Sequence, residues 1–182
     1  MREAGARDFG ESRVQDALAK MAEVPEADIR WHMIGRLQTN KAAKVVGRFA
    51  LVHSVDSLRL AQALSRAASS AERVQDILIE VNVSGEGSKA GVGVEDAERM
   101  VEQIQALPAI RVTGLMTMAP LSDDPEKSRP CFAGLRELRD RISSSLRIPL
   151  PHLSMGMSQD FEVAIEEGAD IVRVGSALFQ ES

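Results

Sequence analysis

Two segments near the C-terminal end of the chain gather the residue types an anion needs. LeuSerMetGlyMetSerGlnAsp at 153–160 and ValArgValGlySerAla at 172–177 each combine a glycine, a serine and the start of a helical pattern. Gly156 and Gly175 let backbone approach a ligand, Ser158 and Ser176 offer hydroxyls, and free N–H groups at a helix start attract negative charge. Arg173 lies two residues before Gly175, where it could point inward. The chemistry implied is phosphate binding. A purely structural alternative stands beside it: Ser158 caps the helix that follows, Gly156 makes a turn, and Arg173 pairs with an acidic residue such as Glu80. Asp160 in the first turn of that helix would already satisfy its dipole.

A third segment, TrpHisMetIleGlyArgLeuGlnThrAsnLys at 31–41, crowds an indole, an imidazole, a turn glycine, two amides and a lysine around the end of one strand. A lone histidine is usually structural, and a lysine at a helix start is usually solvated. Their clustering at a strand's carboxyl end nevertheless points to a site. His32, His53 and His152 have no HExxH or cysteine partner at metal-ligand spacing, so no zinc site is expected. Neither a GxSxG elbow nor a P-loop is present. SerGlyGluGlySerLysAlaGlyVal at 84–92 reads as a strand-to-helix loop, either lying over a pocket or forming a flexible surface turn.

These segments need elements to hold them. β-type runs occur at 8–10, 31–35, 51–55, 77–83, 112–118, 152–155 and 171–174. Between them lie helical periodicities such as Val94, Ala97, Val101, Ile104 and Leu107, or Phe132, Leu135, Leu138, Ile142 and Leu146. Asp56 and Ser57 are candidate N-caps before a helix at 58–68, and Gly168 is a candidate C′ residue after 161–167. Strands with little polar alternation fit a parallel sheet covered on both faces. Alternating strand and helix permits a doubly wound sheet or a (β/α)8 barrel. Seven strand signals without GxGxxG after the first favour the barrel, with one strand short. Gly5 reads as the C′ residue of a helix whose last turn would be Arg2–Ala4.

Composition agrees with a globular protein. At 182 residues, 44% hydrophobic and 27% charged, the chain supports one core, and a single domain over 1–182 is expected. A net charge of -5 argues against nucleic acid or an anionic membrane as principal partner. One cysteine excludes an intramolecular disulfide; with polar opening residues and no apolar run of membrane-spanning length, the expectation is a cytoplasmic protein.

The quoted segments, together with PheGlyGlu at 9–11, HisSerValAsp at 53–56, GluValAsnValSer and SerLysAlaGly at 80–91, and GlyLeuMetThrMet at 114–118, resemble the YggS/PROSC family of pyridoxal phosphate homeostasis proteins. That family is related to the barrel domain of alanine racemase. The resemblance implies a fold-type III (β/α)8 TIM-type barrel that binds pyridoxal 5′-phosphate (PLP) without an established turnover. It implies a phosphate against Ser158, Gly175 and Ser176, and Arg173 facing the pyridine nitrogen and weakening the cofactor as an electron sink. His32 and the backbone of Ser154, Met155 and Gly156 would line the same mouth. No catalytic residue and no metal ligand is implied. Implied partners are PLP itself and PLP-dependent apoenzymes, with the chain a monomer or weak homo-oligomer.

The family's lysine, which forms the Schiff base, lies upstream of the segment matched by residues 2–11. Lys20, Lys41, Lys44, Lys89 and Lys127 all fall elsewhere, so this chain is expected to start after that strand, with Met1 a mis-called or cloned start, and to bind PLP weakly and non-covalently. Ser12 also stands where the family has asparagine. Two other readings are an amino-acid racemase, disfavoured because the chain has no tyrosine to serve as a second base, and a non-binding interaction module.

Overall fold

The β-branched and apolar run at the chain's centre becomes the longest strand of a parallel sheet, and the other elements build outward from it. In the computed structural model, which describes residues 5–24, 28–87 and 89–179, the elements run β1 (Asp8–Glu11), α1 (Val14–Glu23), β2 (Arg30–Met33), α2 (Ala42–Val45), β3 (Leu51–Val55), α3 (Leu58–Ser70), β4 (Gln75–Asn82), β5 (Val92–Gly93), α4 (Val94–Gln105), β6 (Ile110–Met116), α5 (Arg129–Leu146), β7 (His152–Met157), α6 (Phe161–Glu166), β8 (Ile171–Arg173) and α7 (Ser176–Phe179). The expected helix at residues 2–4 lies outside the described residues.

Strands pair in the order β1-β2-β3-β4-β6-β7-β8, every neighbour parallel, while the short β5 pairs beside β4. This is a nearly closed barrel of the TIM type, open between β1 and β8, as the strand count in the sequence implies. Parallel strands need helical crossovers, and those helices supply the outer layer. Ser57 caps α3 as expected, its hydroxyl accepting from the Leu60 N–H at 3.4 Å. Gly168 follows α6 with φ +94°, the left-handed conformation that a C′ glycine adopts at little cost.

Side-chain alternation separates two apolar regions. Ile77, Ile79 and Val81 of β4, Val52 of β3, and Leu153 and Met155 of β7 face the helices. They pack there with Leu60, Leu64, Val101, Ile104, Phe132, Leu135 and Ile142. Each such side chain contributes roughly 1.5–3 kcal/mol by leaving water. The opposite face of the same strands puts Leu51, Leu78 and Met116, with Ile171, into a small cluster inside the barrel. Polar side chains line the rest of the lumen.

The 84–92 segment is folded against the barrel rather than loose. Asn82 accepts from the Ser84 hydroxyl and the Gly85 N–H and donates to the Glu86 carbonyl, Lys89 donates to the Met118 carbonyl, and Val92–Gly93 pair with Val81–Asn82. Ser88 lies outside the described residues.

One close approach sets the spacing of β6 and β7. A Cβ added at Gly114 would lie 2.0 Å from the His152 carbonyl oxygen, a backbone atom with nowhere to move. Gly114→Ala is therefore expected to destabilise the fold by about 3 kcal/mol or more, measured as a lowered urea midpoint; a shift within error would show that the strands can separate without cost.

Candidate functional site

The strands deliver one set of side chains into the lumen. On β7, His152 and Ser154 face inward, while Leu153 and Met155 face out. The inward polar residue is His53 on β3, beside the inward Leu51, His32 on β2, Glu80 on β4, beside Leu78, and Arg173 on β8. His32, His53, His152 and Arg173, from strands far apart in sequence, line one cavity of 1180 Å³ that runs along the seam between β1 and β8 to the mouth at the strands' carboxyl ends, while Glu80 is buried and does not line it. Of the site residues expected from sequence, His32, Gly156, Ser158, Arg173, Gly175 and Ser176 line that cavity. Ser154 lies fully buried behind it. Met155 turns its side chain into the outer core and does not line the cavity, because its place on the strand alternates with Ser154.

Arg173 is the centre of the arrangement. Although it is 9% exposed, its guanidinium is satisfied: Nη1 donates to the Ser154 hydroxyl at 2.7 Å and Nη2 to the Thr117 carbonyl at 2.9 Å. The pairing with Glu80 offered by the structural alternative is not a direct one. Glu80 acts through space, and burial lowers the Arg173 pKa to about 10 against the pull of Glu80 and Asp160, which leaves it cationic at neutral pH. Burial raises the Glu80 carboxyl, Asp56 adds to the shift, and Arg173 and Arg36 oppose it.

The two glycine-serine segments have different roles. In the first, Gly156 (φ +90°) is required by packing: a Cβ there would lie 2.6 Å from the Ala164 Cβ of α6. Asp160 accepts from the Met157 N–H at 2.7 Å and from the Ser128 hydroxyl at 2.8 Å, so this loop's own carboxylate takes an amide that an anion would use. Ser158 does not cap α6. Its hydroxyl reaches across to accept from the N–H groups of Gly175 at 3.1 Å and Ala177 at 3.4 Å, joining the two loops. At Gly175 the backbone faces open space, with nothing within 4 Å of an added Cβ. Ser158, Gly175 and Ser176 therefore form one surface beside Arg173, and that surface is open to the mouth.

The 31–41 segment divides. Trp31 packs on Phe9, with ring centroids 5.9 Å apart, and His32 enters the lumen. Arg36, Gln38, Asn40 and Lys41 line a second cleft of 840 Å³ together with Ser12, Asp56 and Arg59. The indole, imidazole and lysine thus do not share one site.

Sequence reasoning missed His53, Asp8 and the Thr117 carbonyl. His53 Nε2 lies 2.9 Å from His32 Nδ1, and His53 Nδ1 lies 2.8 Å from the Ser154 hydroxyl. His32 Nε2 lies 3.1 Å from Asp8 Oδ1. The available signal was positional: His53 sits mid-strand in an otherwise apolar run, where an inward polar residue needs a partner. Burial, with the nearby His32 and Arg173, holds the His53 pKa down at about 2. Burial also lowers His32, against the opposing effect of Asp8.

Barrel and mouth together define an alanine racemase-type barrel, and the family model for the alanine racemase N-terminal domain matches residues 1–182. Within that class, the chain belongs to the pyridoxal phosphate homeostasis protein family. It is 50% identical over 177 residues to the pyridoxal phosphate homeostasis protein of Aquifex aeolicus, covering 97% of this chain and 78% of that one. It is 43% identical to the protein of that name from Pseudomonas aeruginosa, covering 97% and 75%. The solved structure of PipY from Synechococcus elongatus with PLP bound superposes with a TM-score of 0.90 at 37% identity, covering 98% of this chain and 84% of that one. An alanine racemase from Clostridium difficile shares the fold, with a TM-score of 0.83 at 12% identity over 100% of this chain and 47% of its own.

The buried, neutral His53 makes stability depend on pH. Above about pH 6.5 the imidazole is neutral in both folded and unfolded chains. Below it the unfolded chain takes up a proton that the folded chain refuses until about pH 2. Stability should therefore fall with pH across that window, with His53 alone accounting for about 2 kcal/mol by about pH 5. Urea unfolding at about pH 7.5 and pH 5 checks this: the wild-type loss should exceed that of His53→Gln by about that amount, and equal losses would contradict it.

Proposed function

We propose that the chain binds PLP at the barrel mouth and serves cellular PLP homeostasis, holding the cofactor and releasing it to PLP-dependent apoenzymes rather than turning over a substrate. The observation that carries this reading is the buried Arg173 beside the open Ser158–Gly175–Ser176 surface. A phosphate fits there on the Ser176 backbone N–H and the two serine hydroxyls, Ser158 keeping its own proton to donate because it accepts from Gly175 and Ala177. The guanidinium, with N–H donors left over after Ser154 and Thr117, meets the ring nitrogen. When bound, PLP supplies an aldehyde and a pyridine ring that acts as an electron sink when its nitrogen is protonated. An arginine only donates, so the ring nitrogen opposite Arg173 has to accept and stays unprotonated. That disfavours carbanion chemistry and suits storage. The name of the relatives and the PLP-bound structure of PipY support the same reading.

None of the chain's five lysines lines the cavity, so among the described residues the mouth offers no lysine amine for covalent attachment. Binding by this chain is expected to be reversible: saturable in equilibrium dialysis and lost on gel filtration. Arg173→Gln should weaken it about tenfold or more. Gly175→Ala should leave stability within about 0.5 kcal/mol, because its methyl meets open space, while weakening PLP binding by crowding the phosphate. Absence of saturable binding at millimolar PLP would sink this function for the chain.

A further inference from the structure

The lumen holds an unbroken line of hydrogen bonds that no role so far described uses. From the mouth it runs Arg173 Nη1 to Ser154 Oγ (2.7 Å), Ser154 Oγ to His53 Nδ1 (2.8 Å), His53 Nε2 to His32 Nδ1 (2.9 Å) and His32 Nε2 to Asp8 Oδ1 (3.1 Å). Side-chain exposure increases along it, from the fully buried Ser154 to 15% at His32 and 49% at Asp8. Arg30 donates to the other Asp8 oxygen at 2.6 Å, and His152, itself paired with Asp170, stands nearby.

The two ends dictate the direction of every bond between them. A guanidinium only donates, and an ionised carboxylate only accepts. Burial alone would raise Asp8, but Arg30 and His32 hold it below its ordinary value, so it is ionised. With both imidazoles neutral, one arrangement places a proton on every link. Arg173 donates to Ser154, Ser154 donates to His53 Nδ1, His53 Nε2–H donates to His32 Nδ1, and His32 Nε2–H donates to Asp8. The opposite assignment would put His53 Nδ1–H on Ser154 and require His32 Nδ1–H. His32 Nε2 would then meet the carboxylate with a lone pair.

We propose that Asp8, His32, His53 and Ser154 are positioning residues for Arg173, a hydrogen-bond chain of single polarity that fixes the guanidinium and so selects ligands whose ring nitrogen accepts a hydrogen bond. The chain turns the Ser154 hydroxyl proton away from Arg173 and keeps a lone pair of the Ser154 oxygen directed at the guanidinium N–H. Arg173 is then anchored at two points and presents its remaining donors to the mouth. The ligand half of the proposal rests on the PLP reading; the polarity does not.

Long-range ¹⁵N–¹H NMR of the full chain without ligand tests the polarity. Both His32 and His53 should be protonated at Nε2, and Nδ1–H at either one overturns the proposal. Asp8→Asn lets a carboxamide turn a donor toward His32, so both imidazoles should become tautomer mixtures and the Arg173 guanidinium protons should exchange faster. Ser154→Ala cuts the chain beside Arg173: guanidinium exchange should rise while the two imidazoles keep Nε2–H. In either variant the PLP dissociation constant should rise about threefold to tenfold, with inorganic phosphate binding unchanged. Unaltered Arg173 exchange in both variants would overturn the proposal even if PLP binding fell. Failure of the wild type to bind PLP would remove the function proposed above, while the ligand-free spectra still decide the polarity.

Discussion

A guanidinium inside a barrel is the constraint on which the rest of this lumen depends. Removing a charge from water costs several kcal/mol unless hydrogen bonds and opposite charge replace the solvent. Arg173 meets that requirement with the Ser154 hydroxyl, the Thr117 carbonyl, and the fields of Glu80 and Asp160. Each of those groups needs its own support. The Thr117 hydroxyl donates to the Val81 carbonyl at 2.8 Å and thereby locks the end of β6 against β4. Ser154 engages His53, and His53 engages His32. Polar residues in the upper lumen are therefore arranged around one charge, while Leu51, Leu78, Met116 and Ile171 supply the apolar filling that a barrel interior otherwise uses.

Much of this was legible in the sequence because parallel barrel strands advertise themselves. Leu51–Val55 falls where its apolar residues predict it, and α4 and α5 carry the expected helical faces onto the sheet. β4 and β6 each begin two residues earlier than their apolar runs, at Gln75 and Ile110, since register with a neighbour rather than hydrophobicity decides where pairing starts. That the two glycine-serine loops come to the mouth was equally readable from their place at the strand ends. What those loops do to one another was not. Ser158 lies in the first turn-forming segment and looks like a cap for α6, but it serves the N–H groups of the second segment, 17 and 19 residues on. A short-range rule picks the nearest helix, whereas the folded chain offers a nearer one in space.

The His32–His53 contact was hidden for a similar reason. The two residues lie 21 positions apart on neighbouring strands, and nothing local distinguishes a histidine that meets another from one that faces solvent. Alternation does reveal that both point inward. It cannot reveal that Ser154, 101 residues beyond His53, comes across the lumen to join them. Likewise the 31–41 block reads as one cluster, but β2 ends at Met33 and the chain turns away at Gly35, where a Cβ would lie 2.3 Å from the Ser12 carbonyl oxygen. That close approach sends Arg36 to Lys41 toward a different cleft.

The barrel's opening gives the hydrogen-bonded line a mechanical meaning as well. β1 and β8 are the two edges of the sheet, and no backbone ladder joins them among the described residues. Asp8 belongs to β1 and Arg173 to β8. Between them, His32, His53 and Ser154 come from β2, β3 and β7, so the line passes along one side of the sheet and then crosses directly from β3 to β7 through the lumen. Side chains thus connect two edges that backbone does not. A shift of either edge strand would have to break or stretch a link in a low-dielectric interior, where an orphaned partner costs more than it would in water. The geometry of the mouth is consequently tied to both edges of the barrel: the placement of a guanidinium at the carboxyl end of the last strand depends on a carboxylate at the start of the first.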